Sequence, residues 1–315
     1  MQMKKLGLAS ALALGVAATP SLAQDIPEQL TLRSGVAGGA WYPIGAAMIE
    51  ILNAAGTRGN AEPGGAAGNL VALDQGQIEL GLTMTVLPAL AAQGVDPFPQ
   101  AVDNIAGISV VFPNFAHVMV REDSGVTSFD ELGGRSFASQ PIGTGTQIVF
   151  SDMLQVFGLS EDDLNVTRGG QGHGADQVRD RQAIGLTATT AAPSGTLTEL
   201  TTSHAIRILG LDDDQFEAIR EINPGYVRTM LPAGTYAGQD EDIAGVGTDT
   251  ILVVSGDMSD DHAYWITKTL VEGIASLNAA HSSMRDLTPE GMAAVAGVDL
   301  HPGARRYYEE AGILQ

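Results

Sequence analysis

The sequence contains no cysteine, and basic and aromatic residues are scarce. Without cysteine the chain can form no disulfide, no zinc-thiolate site and no thiol nucleophile. Its 16 Lys and Arg residues stand against 37 Asp and Glu residues, which gives a formal net charge of −21 at pH 7. A surface this acidic repels nucleic acid and anionic membranes. We therefore expect neither as a partner.

Metal-binding and catalytic motifs are missing as well. The six histidines are scattered without metal-ligand spacing: His117, His173, His204, His262, His281 and His301. Neither G-x-S-x-G nor H-E-x-x-H occurs. His173 lies in a glycine-rich loop, where a solvated histidine is more common than a catalytic one. We therefore expect no metal, no cofactor and no enzymatic activity.

Long apolar runs are absent after the first 23 residues. Residues 1–23 have a charged start at Lys4 and Lys5, an apolar run and a small-residue end at Ala23, a pattern typical of a secretory signal peptide. The run is shorter than the roughly 20 residues of a membrane-spanning helix. We expect cleavage after Ala23 and export to the periplasm. Without the two lysines, 14 basic residues remain against 37 acidic ones, so the net charge becomes −23.

The rest of the chain alternates strand-like and helix-like segments. Residues 30–34 predict a strand, which a glycine-rich loop joins to a helix with Ile44, Met48 and Leu52 on one side. Repetition of this unit predicts an α/β fold with mixed, mostly parallel sheets. The length supports two lobes, and the lack of a flexible linker favours a chain that crosses between them more than once.

Other elements follow from the same patterns. Strands are expected at residues 78–83, 105–111, 116–120, 183–187, 206–209 and 250–254. Helices are expected at residues 68–75, 87–93, 149–157, 176–182, 193–201, 212–221, 262–280, 289–297 and 304–311. Residues 231–245 are expected to form a loop.

The first glycine-rich loop, residues 35–39, precedes a helix that begins with two aromatic residues. Free backbone amides and a helix N-terminus favour an anion, and the aromatic rings can pack against a ligand. Such turns are also common as plain structure in α/β proteins. The spacing is not G-x-G-x-x-G, so a dinucleotide is not expected. The candidate ligand-binding residues here are Gly35, Val36, Ala37, Trp41 and Tyr42.

The second glycine-rich loop has the same architecture in the other half of the chain. Backbone amides and hydroxyl groups at the start of the helix after residue 147 can hold a carboxylate without arginine. A phosphate-binding loop would need a lysine that is missing here. The candidates are Gly143, Thr144, Gly145, Thr146 and Gln147, and three further threonines complete the set: Thr85, Thr189 and Thr190. Two facing loops predict a cleft for a small carboxylate.

Four segments resemble one family, the TAXI-type solute-binding receptors of tripartite ATP-independent periplasmic (TRAP) transporters. They are GGAWYPIGAAM, IGTGTQ, LPAGTYAG and LHPGARRYYEEAGIL, in the family's order and spanning nearly the whole exported chain. The resemblance implies a type II periplasmic-binding-protein fold, with two lobes joined by two crossover strands. It also implies delivery of the ligand to a TRAP permease driven by an ion gradient. We expect a monomer, with residues 24–118 and 250–315 in lobe I and 119–249 in lobe II.

The family's motifs also transfer residue by residue. The aromatics of its G-x-Y-Y-P-x-G motif correspond to Trp41 and Tyr42, and its G-S-G-T-E loop to residues 143–147, where Gln147 replaces the acid. Relatives often have Gln-Asn-Asp or Gln-Ser-Asp after the third strand, whereas this chain has Met84-Thr85-Val86. Ligands of the family resemble glutamate and 2-oxoglutarate. The loss of polar groups favours a monocarboxylate or an oxo acid over an amino acid.

Other functions remain open from the sequence. A receptor of an ABC transporter, or a ligand sensor that signals to a membrane kinase, would use the same cleft. An enzyme on this scaffold would need a general acid-base or covalent residue there. The candidate loops instead hold glycines, threonines, Gln147, Trp41 and Tyr42.

Overall fold

The computed structural model of the chain describes residues 26–35 and 41–314. These residues form two mixed β-sheets with helices packed against them. The expected signal peptide lies outside the described residues, and so do the candidates Val36 and Ala37.

Strands and helices alternate through most of the described chain. The strands are β1 (Gln29–Arg33), β2 (Arg58–Glu62), β3 (Leu80–Met84), β4 (Ile105–Phe112), β5 (Phe115–Arg121), β6 (Ser136–Ser139), β7 (Asn165–Arg168), β8 (Gly185–Thr190), β9 (Ile206–Ile208), β10 (Val227–Leu231), β11 (Ile243–Gly247) and β12 (Thr250–Ser255). The helices are α1 (Trp41–Ala54), α2 (Ala66–Asp74), α3 (Leu87–Gln93), α4 (Gly145–Val156), α5 (Gln171–Arg179), α6 (Gly195–Ser203), α7 (Asp213–Ile222), α8 (Asp260–Glu272), α9 (Ile274–Ala280), α10 (Pro289–Ala293) and α11 (Pro302–Glu310).

The two sheets confirm the predicted mixed α/β class. The first has the strand order β2-β1-β3-β12-β4, and the second has β10-β11-β5-β8-β6-β7 with β9 beside β5. Strand β1 pairs in parallel with β2 and β3, and β6 does so with β7 and β8. Parallel pairs are fewer than expected, because β4, β5, β11 and β12, which carry the chain between the sheets, all pair antiparallel.

The chain changes sheet at two short connections. Residues 113–114 join β4 to β5, and residues 248–249 join β11 to β12. Strand β5 forms its pairs entirely within the second sheet. The division into lobe I (24–118 and 250–315) and lobe II (119–249) stays a prediction, as does the monomeric state.

Hydrophobic burial explains why the elements pack as they do. Helix α1 buries Ile44, Met48 and Leu52 from one face, as the spacing predicts, against the first sheet and helices α8 and α9. A second cluster covers the opposite side of that sheet and continues into the other sheet, joining Ile251 to Phe150. The apolar core is therefore continuous across the connections between the sheets.

Some elements were not predictable from hydrophobic periodicity. Strand β2 (RGNAE) has no buried apolar residue, because it is an edge strand paired only to β1. Strands β10 and β11 occupy the ends of a stretch expected to be loop and extend before and beyond it. The predicted helix 262–280 is two helices, which meet at Gly273.

Candidate functional site

The second glycine-rich loop leads into the N-terminus of α4, and we call residues 143–147 the anion cup. Thr144 is the N-cap residue of α4: its Oγ1 accepts the backbone N–H of Gln147 at 3.3 Å and donates to the carbonyl of Pro141 at 2.8 Å. Gly143 has φ 82°, a left-handed conformation that favours glycine. The helix begins at Gly145, four residues before the sequence estimate, because this first turn lacks an apolar pattern.

Hydroxyl groups lie beside the anion cup on the neighbouring strands. Thr146 is 7% exposed, and its Oγ1 accepts the backbone N–H of Thr189 at 3.3 Å, which leaves the hydroxyl proton for another acceptor. The buried Oγ1 of Thr189 and Oγ of Ser139, the last residue of β6, have no protein partner. Half-buried Thr190 follows Thr189 at the end of β8. Unsatisfied buried hydroxyls of this kind are suited to bind a polar ligand.

Gln147 is engaged within the protein. Its Oε1 accepts the N–H of Gly143 at 3.1 Å, and its Nε2 donates to Ser151 Oγ at 2.9 Å and to Glu161 Oε1 at 2.8 Å. The other oxygen of Glu161 forms an ion pair with Arg168 at 2.7 Å. In this structure Gln147 therefore holds the loop in shape, and its role as a ligand residue stays a prediction.

The first sheet contributes the opposite wall. Gly35 is buried, and a Cβ placed on it would lie 2.7 Å from the Cβ of Trp41. Trp41 and Tyr42 are half-buried at the start of α1. Met84 at the end of β3 touches the anion cup, since a Cβ on Gly145 would overlap its sulfur. Met84, which the sequence places in one wall of the cleft, thus contacts Gly145 of the anion cup, and the ligand-binding roles of Gly35, Trp41 and Tyr42 stay predictions.

Thr85 lies next to Met84 but faces the protein interior. It is 0% exposed, and its Oγ1 donates to the carbonyl of Gly225 at 2.6 Å and accepts the N–H of Asp249 at 3.1 Å. The hydroxyl of Thr248 is 2.9 Å away. Because these groups use its hydrogen-bonding capacity, Thr85 supports the connection between the sheets here, and its predicted contact with ligand stays a prediction.

Two asparagines that the sequence analysis did not single out complete this junction. Asn114 donates from Nδ2 to the carbonyl of Thr248 at 2.9 Å and to Thr250 Oγ1 at 3.1 Å. Asn223 donates from Nδ2 to the carbonyl of Val86 at 2.9 Å. We call Thr85, Asn114, Asn223, Gly225 and Thr248 the crossover cluster. The Asn-Pro-Gly sequence at 223–225 is a turn signal, and by itself it indicates only that the helix before it ends.

Ionisable groups elsewhere do not assemble a metal site in the part of the chain that the structure describes. His117 is buried, with Nε2 3.0 Å from the Tyr236 hydroxyl and Nδ1 3.1 Å from the Ala188 carbonyl. Burial lowers the pKa of His117 to about 4, so it is neutral at pH 7. His173 is exposed on α5. Among the described residues no three His, Asp or Glu side chains form a metal-binding group, and no helix is long and apolar enough to cross a membrane.

Comparison with known proteins agrees with this architecture. Residues 32–312 match the model of a family described as NMT1-like. The chain belongs to the NMT1-like family. The NMT1-like chain is also similar to a Xanthomonas citri protein solved with bound ATP, with 14% identity, a TM-score of 0.55, and coverage of 91% of this chain and 97% of that chain.

Two further solved structures with a similar fold are described as sulfonate-binding proteins. The periplasmic aliphatic sulphonate-binding protein SsuA from Escherichia coli is 14% identical over 90% of this chain and 88% of its own, with a TM-score of 0.50. A putative SsuA from Methylobacillus flagellatus KT is 12% identical over 92% and 88%, with a TM-score of 0.52. At these identities the similarity establishes the fold, which is the two-lobed fold of periplasmic binding proteins.

Proposed function

We propose that this NMT1-like protein is an exported periplasmic receptor, not an enzyme, which captures a small carboxylate between its two sheets. The observation that carries the proposal is the anion cup. The N-terminus of α4, the free proton of the Thr146 hydroxyl and the unpartnered hydroxyls of Ser139 and Thr189 can all contribute to holding one anionic group.

The surroundings of the anion cup support binding by neutral donors. Two arginines that could serve as charged partners of an acid are already paired within the protein: Arg33 with Glu62 at 3.4 Å, and Arg168 with Glu161 at 2.7 Å. The opposite wall is apolar at Met84, whose sulfur contacts the anion cup at Gly145. An acid with one anionic group and an aliphatic or oxo-substituted body suits this combination better than an amino acid, whose ammonium group would lack a partner there.

Delivery to a TRAP permease is the transport role that the four TAXI-like segments favour. The sulfonate-binding structures keep an ABC-type receptor as the alternative, and a sensor for a membrane kinase would use the same cleft. A neighbouring gene for a TRAP permease would support the first role. A neighbouring ATPase gene would support the second.

Replacing Thr146 with alanine tests the anion cup. We expect the variant to bind its acid about tenfold more weakly or worse, because a hydrogen bond to a charged group contributes about 1.5–3 kcal/mol. Calorimetry with butyrate, pyruvate, 2-oxoglutarate, glutamate and ethanesulfonate would identify the acid on the wild-type protein and then compare the variants.

The matched control is Thr202→Ala, which removes a surface hydroxyl bonded only to the Thr198 carbonyl on α6. That variant should bind as the wild type does. If no acid gives a heat of binding while a sugar or an amine binds saturably, the carboxylate assignment is wrong. Equal affinities of the wild-type and Thr146→Ala proteins would place the acid away from the anion cup.

Trp41 should report ligand binding by fluorescence. It is half-buried at the start of α1, whereas the other tryptophan, Trp265, is buried among the helices of the first sheet. Closure on a ligand should change the environment of Trp41 alone. A titration should shift the emission of the wild type and leave Trp41→Phe almost unchanged. If Trp41→Phe shows the same ligand-induced shift in emission as the wild type, Trp41 does not lie in the cleft.

A further inference from the structure

A cavity lies at the connections between the sheets, apart from the anion cup. Its volume is about 600 Å³, and it lies between the end of β4, the segment after β8, strand β10 and helix α10. None of residues 143–147, Trp41, Tyr42 or Thr189 lines it. We call it the crossover cavity. Its volume is in the range of small-molecule sites, which is about 300–1,000 Å³.

The crossover cavity contains a carboxyl group without a partner. Asp249 is 9% exposed and lines the cavity, and its backbone N–H and carbonyl bond to Thr85, but its carboxylate forms no hydrogen bond or ion pair with the described residues. Buried carboxylates are normally paired, because desolvation of an isolated charge is costly. Burial raises the pKa of the Asp249 carboxyl to about 6, so it is mostly ionised at pH 7.5.

The other lining groups indicate what would pair with Asp249. A second carboxyl, exposed Asp286, lines the cavity, and no Lys, Arg or His is among the described lining residues. Phe115, Met230 and Leu287 provide apolar walls. The volume exceeds what a bare metal ion needs, and no three metal-binding side chains meet in the described chain. An organic cation satisfies both the charge and the apolar walls.

We propose that the crossover cavity binds a small organic ammonium ion, with its charged nitrogen held by Asp249 and its apolar body against Phe115 and Leu287. The site is separate from the anion cup, so it provides a second ligand specificity in the same receptor. Because the cavity is lined by residues of both sheets, the ligand would contact both at once.

Calorimetry with phenethylammonium tests this proposal at pH 7.5 on the purified protein. We expect the wild type to bind it, and to bind the neutral analogue 2-phenylethanol at least about tenfold more weakly, as expected for a lost charged hydrogen bond. Asp249→Asn keeps the side-chain volume and should lose about tenfold or more in affinity. The control Asp286→Asn should lose less than about threefold, because its exposed charge is screened by solvent.

The pH dependence gives a second measurement that needs no variant. At pH 5, about one unit below the folded-state pKa of Asp249, roughly a tenth of the carboxyl is ionised, so the affinity should fall about tenfold from pH 7.5. Asp286 is the other titratable group lining the cavity, and Asp286→Asn should keep this dependence. His117 packs behind Phe115 but stays neutral over this range, because burial lowers its pKa to about 4.

Three results would overturn the proposal: no saturable binding of phenethylammonium, equal binding of the neutral alcohol, or an affinity that changes with neither pH nor Asp249→Asn. If Asp249→Asn does not fold, which its thermal transition would show, the alcohol and pH measurements on the wild type still decide. Binding of acids at the anion cup is measured with different ligands, so either proposal can fail alone.

Discussion

Replacing Gly297 with alanine is expected to lower the melting temperature by about 6 °C or more, which corresponds to about 3 kcal/mol of stability in a protein of this size. Gly297 has φ 75°, and a Cβ at this position would overlap the carbonyl oxygen of Thr85. Gly225 packs against the same carbonyl from another segment. Three segments would have to shift at once, because the obstacle is backbone and not a flexible side chain.

Gly312→Ala is the matched control for this prediction. Gly312 also has a left-handed backbone, with φ 71°, but no atom lies within 4 Å of the added Cβ. The free energy of unfolding of Gly312→Ala should therefore fall only by the conformational cost of alanine in a left-handed backbone, about 1–2 kcal/mol. Differential scanning calorimetry of both variants measures the difference. Equal losses would show that the contact with Thr85 contributes nothing.

Replacing Gly145 with valine is expected to weaken acid binding at least a hundredfold, about 2.7 kcal/mol or more. The added side chain would overlap the Met84 sulfur, and because Met84 is buried, either its side chain or the anion cup must move for valine to fit. The cause is this close approach, because the left-handed glycine of the loop is Gly143 and not Gly145. Isothermal titration with the acid found for the wild type measures the loss.

Gly195→Val provides the control for helix propensity. Gly195 is the first residue of α6 as Gly145 is of α4, and open space surrounds its added Cβ. This variant should retain acid binding. The double variant Met84→Ala with Gly145→Val should recover part of the affinity, because alanine makes room for valine. If Gly145→Val binds as Gly195→Val does, the contact at Met84 does not matter for the ligand.

The sequence predicted the repeating strand, loop and helix units well, because they depend on neighbouring residues. The apolar spacing of α1 and the glycine-rich loop before α4 are local features of this kind. The crossover cluster is not local: Thr85 bonds to Gly225 and Asp249, which are 140 and 164 residues away along the chain. No periodicity could reveal these partners, and Thr85 was accordingly expected among the ligand residues.

The same distinction applies to the two candidate sites. The anion cup was predictable because one loop and one helix N-terminus supply most of it. The hydrogen bonds of Gln147 to Ser151 and Glu161, which hold the anion cup in shape, could not be predicted, because they depend on tertiary packing. The crossover cavity collects residues from segments that are far apart in the chain, between Val110 and Ala294, and Asp249 has no motif around it.

The shortness of the connections between the sheets has a mechanical consequence. Only residues 113–114 and 248–249 join the four crossing strands, so any rotation of one sheet against the other must be absorbed by the φ and ψ angles of these residues. The side chain of Asn114 bonds the two connections to each other, which couples their torsions. A rotation of one sheet against the other would therefore be centred near Asn114 and Thr248, and the displacement of an atom would grow with its distance from these residues.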